Sequence, residues 1–272
     1  MRTSSASMVM GVLSWATVLL AQSEFEGLVE PVRDVLMGPP VAGRVATLYA
    51  GEGAVVKKGE KLLVMDDSIE ALEVQRRKMV LEDQSDLLAA KYRKDLLKED
   101  LESTRKLFES TASVSRDELA RKEVEALLAE VEYNRMEQME RREQAELDIA
   151  KARLQQYVLI APFDGVMAEL SVDEGESIQA GQPVLRMVDL SSAFLLLNLP
   201  ADLAAGLKMD EEVVLVFQLD DEVVKKGKVA FISPVIDPAS GLRKVKMFFK
   251  NDAPKVEPGR IGLWVREGAA HE

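Results

Sequence analysis

The chain has 272 residues, 47% hydrophobic and 30% charged, which suffices for one or two folded domains. Its net charge of −12 argues against a nucleic-acid partner, because phosphate binding requires clustered lysine and arginine. It has no cysteine and one histidine, His271. Disulfides, thiolate metal sites and a cysteine nucleophile therefore lack their side chains. The single histidine lies one residue from the end of the chain, where we expect a disordered tail and not a Ser-His-Asp triad, so we expect no cofactor, no metal and no catalysis.

The first 23 residues predict a secretory signal. Arg2 supplies a positive start, the segment from Met8 to Leu20 is apolar, and Ala21-Gln22-Ser23 is a small-x-small cleavage pattern. The apolar segment is shorter than the roughly 20 residues that span a bilayer. An uncleaved anchor is the alternative, and either form places the mature chain outside the cytoplasm.

Two glycine-punctuated segments, 39–67 and 157–189, repeat each other at a constant offset of 122 positions. Six glycines carry the repeat in matched pairs: Gly43 with Gly165, Gly53 with Gly175, and Gly59 with Gly181. Short alternating apolar runs between glycines predict strands joined by tight turns, where glycine supplies positive φ. Each half has one hydrophobic face, so the halves are expected to pack as a flattened sandwich.

Between the halves lies a stretch, 68–156, without glycine or proline and rich in strong helix formers. A polar cluster at 109–115 divides it into two near-equal arms, the second capped by Ser115 and the first by Asp67. The two halves of the repeat meet only if the arms return to their start, so an antiparallel helical hairpin is predicted. Apolar residues at spacings of seven predict its seam: Leu72, Met79, Val80, Leu81, Leu87, Leu88, Leu147 and Leu154, with Leu97, Leu101 and Phe108 nearer the tip.

The last part, 190–267, contains five apolar runs that predict strands, with a short helix between Pro200 and Gly206. Closure into a small β-barrel would remove exposed edges, and 24–38 is expected to add an N-terminal strand to it. Residues 268–272 are expected to be a disordered tail. The fold class is thus an elongated α+β protein: a split β-sandwich, interrupted by a long antiparallel coiled-coil hairpin and followed by the barrel. Because the glycine pattern of the sandwich resembles that of lipoyl and biotinyl carrier domains, we describe the sandwich as lipoyl-like.

This order of parts resembles the membrane fusion proteins, the haemolysin-D-like periplasmic adaptor subunits of tripartite efflux and type I secretion systems. Segments 232–241 and 256–259 are similar to turns of that family. The resemblance implies a non-catalytic adaptor in the periplasm, associated with the inner membrane. Its implied partners are an inner-membrane transporter of RND or ABC type, a TolC-like outer-membrane channel, and further copies of itself, six in a ring.

The resemblance also implies that the hairpin tip contacts the channel through an arginine, an apolar residue and a serine. Ser115 and Phe108 match, whereas Thr104 stands at the arginine position and Arg105 follows it. The predicted contact set is Arg105, Phe108, Thr111, Ser113, Val114 and Ser115. A further expectation is that the membrane-proximal domain of many relatives is absent.

Two other functions stay open. A periplasmic coiled-coil scaffold without a transport role would have the same pattern. A lipoyl or biotinyl carrier would need a lysine displayed at the turn that joins the halves, but Asp66-Asp67 follows Met65 and Val188-Asp189 follows Met187. The acidic clusters 210–212 and 220–222 are interpreted as solvated turns in preference to cation sites.

Overall fold

The computed structural model describes residues 23–111, 113–218, 222–253 and 255–266. Most of the predicted signal, the predicted tail and most of the acidic cluster 220–222 lie outside these ranges. The described residues divide into two compact units: those up to Arg33, together with those from Asp189 onward, form the strand unit, and those between Asp34 and Val188 form the hybrid unit. Both boundaries fall inside strands.

The strand unit is an antiparallel sheet with one short helix, α4 (Ala201–Ala205). Its strands follow the order β1-β12-β9-β10-β11-β8, and an additional pairing of β1 with β8 closes the sheet. The strand bounds are β1 Ser23–Met37, β8 Leu185–Pro200, β9 Glu212–Gln218, β10 Glu222–Ile236, β11 Leu242–Lys250 and β12 Ile261–Arg266. All five apolar runs predicted as strands lie in them, and α4 lies where a short helix was predicted.

Alternation of side chains builds the core of this unit. Along β8, Ala193, Leu195, Leu197 and Leu199 are buried, whereas Asn198 is exposed. The same alternation in the neighbouring strands adds Leu215, Phe217, Met247, Phe249 and Trp264 to one cluster. Because successive side chains of a strand point to opposite faces, every second residue of these apolar runs enters the core.

The sheet layers of the hybrid unit come from both halves of the repeat. One layer has the order β5-β4-β2-β7, and in the other β8 pairs with β6 and β6 with β3. The additional strand bounds are β2 Gly43–Leu48, β3 Val55–Val56, β4 Lys61–Met65, β5 Val158–Ile160, β6 Gly165–Leu170 and β7 Ser177–Ile178. Leu62, Leu63, Met65, Met167 and Met187 are fully buried in this unit.

Backbone hydrogen bonds cross between the halves in matched pairs. Gly53 N–H donates to Met167 O and Gly175 N–H donates to Val45 O, at 2.8 and 2.9 Å. Because each pair maps onto the other through the offset of the repeat, the two halves are related by an approximate twofold axis.

Four of the six repeat glycines lie where the sequence predicted turns. Gly53, Gly59, Gly175 and Gly181 have φ between 74° and 89°, the region that side chains other than glycine rarely adopt. The prediction for the remaining two is wrong: Gly43 and Gly165 begin strands β2 and β6. Glycine is required at these strand positions because there is no space for a side chain: a Cβ at Gly165 would lie 2.6 Å from the carbonyl oxygen of Val188.

Three helices separate the halves: α1 (Ser68–Glu82), α2 (Ser85–Thr111) and α3 (Arg116–Gln155). Contacts between side chains show that α3 runs back along α2 and α1. Lys122 pairs with Asp100 near the turn, and Glu140 accepts from Gln84 further along. Arg77 and Glu146 form an ion pair still nearer the sandwich. We call these three helices the helical pair, α3 being one side and α1 with α2 the other.

The prediction of one break and two uninterrupted arms is wrong, because a second break separates α1 from α2 at Asp83 and Gln84. The predicted capping of α1 by Asp67 is also wrong. Its side chain makes no capping hydrogen bond, and Asp66 instead accepts from both the backbone N–H and the hydroxyl of Ser68. Asp66, and not Asp67, thus provides the side-chain hydrogen bonds at the start of α1.

The seam of the helical pair differs from the predicted set. Leu72, Met79, Val80 and Leu88 are exposed, so those four assignments are wrong. On α3 a buried or half-buried residue recurs at spacings of three and four: Leu119, Lys122, Ala126, Ala129, Tyr133, Met136, Glu140, Glu143, Leu147, Ala150 and Leu154. The corresponding residues of α2 are Leu87, Ala90, Lys94, Leu97, Leu101, Thr104 and Phe108, and those of α1 are Val74, Arg77 and Leu81. Leucines outside these positions do not face the partner helix and are exposed to solvent.

Candidate functional site

The turn that joins α2 to α3 is the candidate site. Ser113 and Ser115 are exposed and Val114 is half-buried. The side chain of Ser115 accepts from the backbone N–H of Glu118 at 3.2 Å, which is the cap predicted for α3. The turn therefore presents two hydroxyl groups and one aliphatic side chain on a capped helix end. Thr111 is the last residue of α2.

Two ion pairs hold the helices together just behind this turn. Arg105 contacts Glu123 at 2.8 Å, and Lys122 contacts Asp100 at 2.7 Å. The hydrogen bond to Asp100 holds the pKa of Lys122 above its ordinary value. The side chain of Arg105 is about half exposed, so it remains accessible to water beside the ion pair.

The structure separates the predicted contact residues into two groups. Ser113, Val114 and Ser115 form the turn, whereas Phe108 occupies a half-buried seam position and Arg105 is engaged with α3. Thr104, which stands where the resemblance implies an arginine, is buried in the seam, and its hydroxyl donates to Asp100 O at 2.9 Å. An arginine at position 104 would have to enter the seam, so the neighbouring position is the one that can reach solvent.

At the opposite end, polar contacts attach the helices to the sandwich. Tyr157 follows α3 and donates its hydroxyl proton to Glu70 of α1 at 2.8 Å, which holds the two helix ends side by side. This hydrogen bond raises the pKa of Tyr157 above its ordinary value. Sequence patterns did not reveal it, because the partners are 87 positions apart.

A second contact that the sequence did not reveal lies where β1 enters the hybrid unit. Arg186 forms two hydrogen bonds to the carboxylate of Asp34, at 2.8 and 2.6 Å, and a third to Glu169 at 2.9 Å. The bond from Arg186 holds the pKa of Asp34 below its ordinary value. A bidentate guanidinium–carboxylate pair restricts orientation as well as distance, so it fixes the last residues of β1 against β8.

Within the described part of the chain, no group of three or more carboxylates or imidazoles is arranged to hold a metal ion. None of the helices described here has both the length and the apolar content needed to cross a bilayer. The polar groups of the candidate site are hydroxyls, amides and paired charges. These groups suit recognition of another surface. The fold and site therefore define a class: a barrel-sandwich hybrid that carries a helical pair with an exposed turn.

The family follows from a sequence comparison. A family model described as CzcB-like, barrel-sandwich hybrid domain matches residues 33–189. The chain belongs to this family, and the resemblance predicted from its sequence is thereby confirmed. Two relatives are the cobalt-zinc-cadmium resistance protein CzcB of Cupriavidus metallidurans, 25% identical over 81% of this chain, and the fatty acid resistance protein FarA of Neisseria gonorrhoeae, 30% identical over 74%.

The chain spans 40% of the length of CzcB and 60% of that of FarA. Among solved structures, MacA from Actinobacillus actinomycetemcomitans has a TM-score of 0.72 at 20% identity, over 90% of this chain and 78% of MacA. A membrane fusion protein from Streptococcus pneumoniae R6 has a TM-score of 0.57 at 14% identity, over 91% of this chain and all of its own. These likenesses show a shared fold of mixed helix and sheet.

Proposed function

We propose that the chain is a periplasmic adaptor that links an inner-membrane transporter to a TolC-like outer-membrane channel and acts by binding, without catalysis. The observation that carries this proposal is the exposed turn at 113–115, held at the far end of helices whose other end is built into a barrel-sandwich hybrid. At ~1.5 Å per residue, the 40 residues of α3 place this turn on the order of 60 Å from the sandwich. That distance suits a part that reaches a partner.

In this proposal the three structural parts have separate tasks. The helical pair is a coiled-coil hairpin whose turn docks on the channel through Ser113, Val114 and Ser115, with Arg105 beside them. Phe108 and Thr111, which the sequence also predicts as channel contacts, complete the contact set from α2. The hybrid and the closed sheet of the strand unit, a small β-barrel, contact further copies of the chain. Six copies in a ring would form a conduit.

The transported compound and the class of transporter, RND or ABC, are open within this proposal. The names of three relatives point to chemically different compounds: metal cations for CzcB, a fatty acid for FarA, and a macrolide for the macrolide export protein MacA of Escherichia coli O157:H7. An adaptor that contacts channel and transporter does not need to recognise each of them, which is consistent with one fold serving all three.

The test places a charge in the turn and asks whether docking and export fail together. In Gram-negative cells whose own copy is deleted, Val114→Asp should abolish photo-crosslinking from position 113 to the outer-membrane channel. It should also restore sensitivity to whichever of zinc, a long-chain fatty acid or a macrolide the wild-type chain protects against. Val124→Asp is the matched control, because Val124 is 55% exposed on α3 away from the turn.

Normal crosslinking and resistance in Val114→Asp would show that the turn does not dock. If the wild-type chain gives no crosslink to a channel and deletion leaves resistance to all three compounds unchanged, the adaptor proposal is wrong. The periplasmic scaffold without a transport role would then be the better account.

A further inference from the structure

The break between α1 and α2 interrupts one side of the helical pair only. Asp83 has φ −82° and ψ 85°, outside the helical region, and its carboxylate accepts from the backbone N–H of Ser85 at 3.3 Å. On the other side, α3 is continuous from Arg116 to Gln155. At the level of the break, therefore, only α3 is a continuous helix.

The break coincides with a change of register. Seam positions on α1 end at Leu81 and those on α2 begin at Leu87, six residues later, whereas the seam of α3 keeps its spacing of three and four throughout. Each residue of an α-helix advances the chain by about 100° around the helix axis. If the helix were continuous, the six residues from Leu81 to Leu87 would therefore turn about 100° less than the seven residues of a full repeat, and Leu87 would no longer lie in the seam. The non-helical residues at 83 and 84 absorb this difference, so the break is required by the sequence on either side.

The seam is polar at the same level. Glu140 and Glu143 are consecutive α3 seam positions that face the break, whereas the seam positions before and after them, Met136 and Leu147, are apolar. Gln84 donates its side-chain N–H to Glu140 at 2.7 Å, beside a small pocket, partly open to solvent, that Leu81 and Leu87 also line. Few apolar contacts thus resist separation of the helices here.

We propose that residues 83–84 are a joint that divides the helical pair into two separately packed segments. The distal segment is α2 with the facing part of α3, and the proximal segment is α1 with the end of α3. A lone helix bends more readily than two helices locked by a shared seam, so α3 bends at Glu140 and the distal segment changes its direction. The joint is a property of the chain itself, whereas its use in aiming the turn at a channel rests on the proposed function.

Spin-label distances test the joint directly, because the chain has no cysteine and labels can be placed without background. Labels at Lys78 and Lys98 span the break, and labels at Ala89 and Glu109 lie within α2 at the same separation of 20 positions, roughly 30 Å of helix. In the purified full chain, we expect a wide distance distribution for the first pair and a narrow one for the second. Equally narrow distributions would overturn the proposal.

Two variants examine the cause. Insertion of one alanine between Asp83 and Gln84 restores the seven-residue spacing and should narrow the distribution of the spanning pair to that of the pair within α2. Glu140→Ala removes the acceptor of the Gln84 hydrogen bond. This variant should widen the distance distribution of the spanning pair, and its helix content by circular dichroism should be unchanged. Glu130→Ala, an exposed position on the same helix, is the control.

If the insertion variant does not fold, the wild-type and Glu140→Ala measurements decide the matter: an unchanged distribution in Glu140→Ala would refute the role of this contact. These results are independent of export. Failure of the adaptor proposal in cells leaves the joint standing, and a rigid helical pair leaves the adaptor proposal standing.

Discussion

The carboxylate of Glu52 accepts a hydrogen bond from the backbone N–H of Leu170 at 3.0 Å. The counterparts of these residues in the repeat make the same contact in the opposite direction, from Leu48 N–H to Glu174 at 2.8 Å. Each half of the repeat thus satisfies a backbone donor of the other. This reciprocity explains why an acid precedes the turn glycine in both halves.

Removal of either acid should destabilise the sandwich. Glu52→Ala and Glu174→Ala each leave one backbone N–H of the opposite half without its carboxylate, at a cost of about 1 kcal/mol in the free energy of unfolding. Urea unfolding monitored by circular dichroism measures this. The two effects should be similar in size because the contacts are equivalent. Glu130→Ala on α3 should change stability little, and an equal loss there would contradict the assignment.

Two glycines separated by one residue in the first half allow a matched comparison. Gly53 has φ +79°, whereas Gly51 has ordinary backbone geometry and open space around it. Gly53→Ala should lose roughly 1–2 kcal/mol of unfolding free energy because of the left-handed conformation. Gly51→Ala should be neutral or slightly stabilising, since alanine reduces the entropy of the unfolded chain. Thermal unfolding of both variants would show the difference, and equal effects would contradict it.

The contact between Tyr157 and Glu70 should make stability depend on alkaline pH. The hydrogen bond raises the pKa of Tyr157 above its ordinary value of 10.0. Its contribution is therefore fully present below the ordinary pKa and is lost as pH rises through the raised pKa. Tyr157→Phe should lose about 0.5–1.5 kcal/mol at neutral pH. The wild-type chain and the variant should converge above the raised pKa, and a constant difference in urea unfolding would exclude this explanation.

The cap of α3 can be separated from any docking role of its residue. Ser115→Ala removes the acceptor for Glu118 N–H and should cost about 1 kcal/mol. Faster amide exchange should be confined to the first turn of α3. Ser115→Asp, which retains a cap, should restore both properties. Ser113→Ala, outside the helix, is the control, and fast exchange in that variant would mean that the whole turn is disturbed.

The sequence by itself determined the nature and order of the elements in the described residues. Short apolar runs such as 194–197, separated by turn-rich segments, predicted strands, and the stretch 68–156 predicted helix because glycine and proline are absent from it. The offset of 122 positions predicted that the two halves of the sandwich pair with each other. These signals are local or repeated, so they can be interpreted without coordinates.

The tertiary structure alone decided which faces those elements bury. Leu72 and Leu88 are exposed while Ala129 and Glu140 lie in the seam, because the position of a residue relative to the partner helix, and not its hydrophobicity alone, decides whether it is buried. The break at Asp83 arises from a mismatch between helices, and the contacts of Arg186 and Tyr157 join residues distant in the chain. Such features depend on how surfaces pack in three dimensions, and the sequence of one strand or helix does not specify which residues of its partner it contacts.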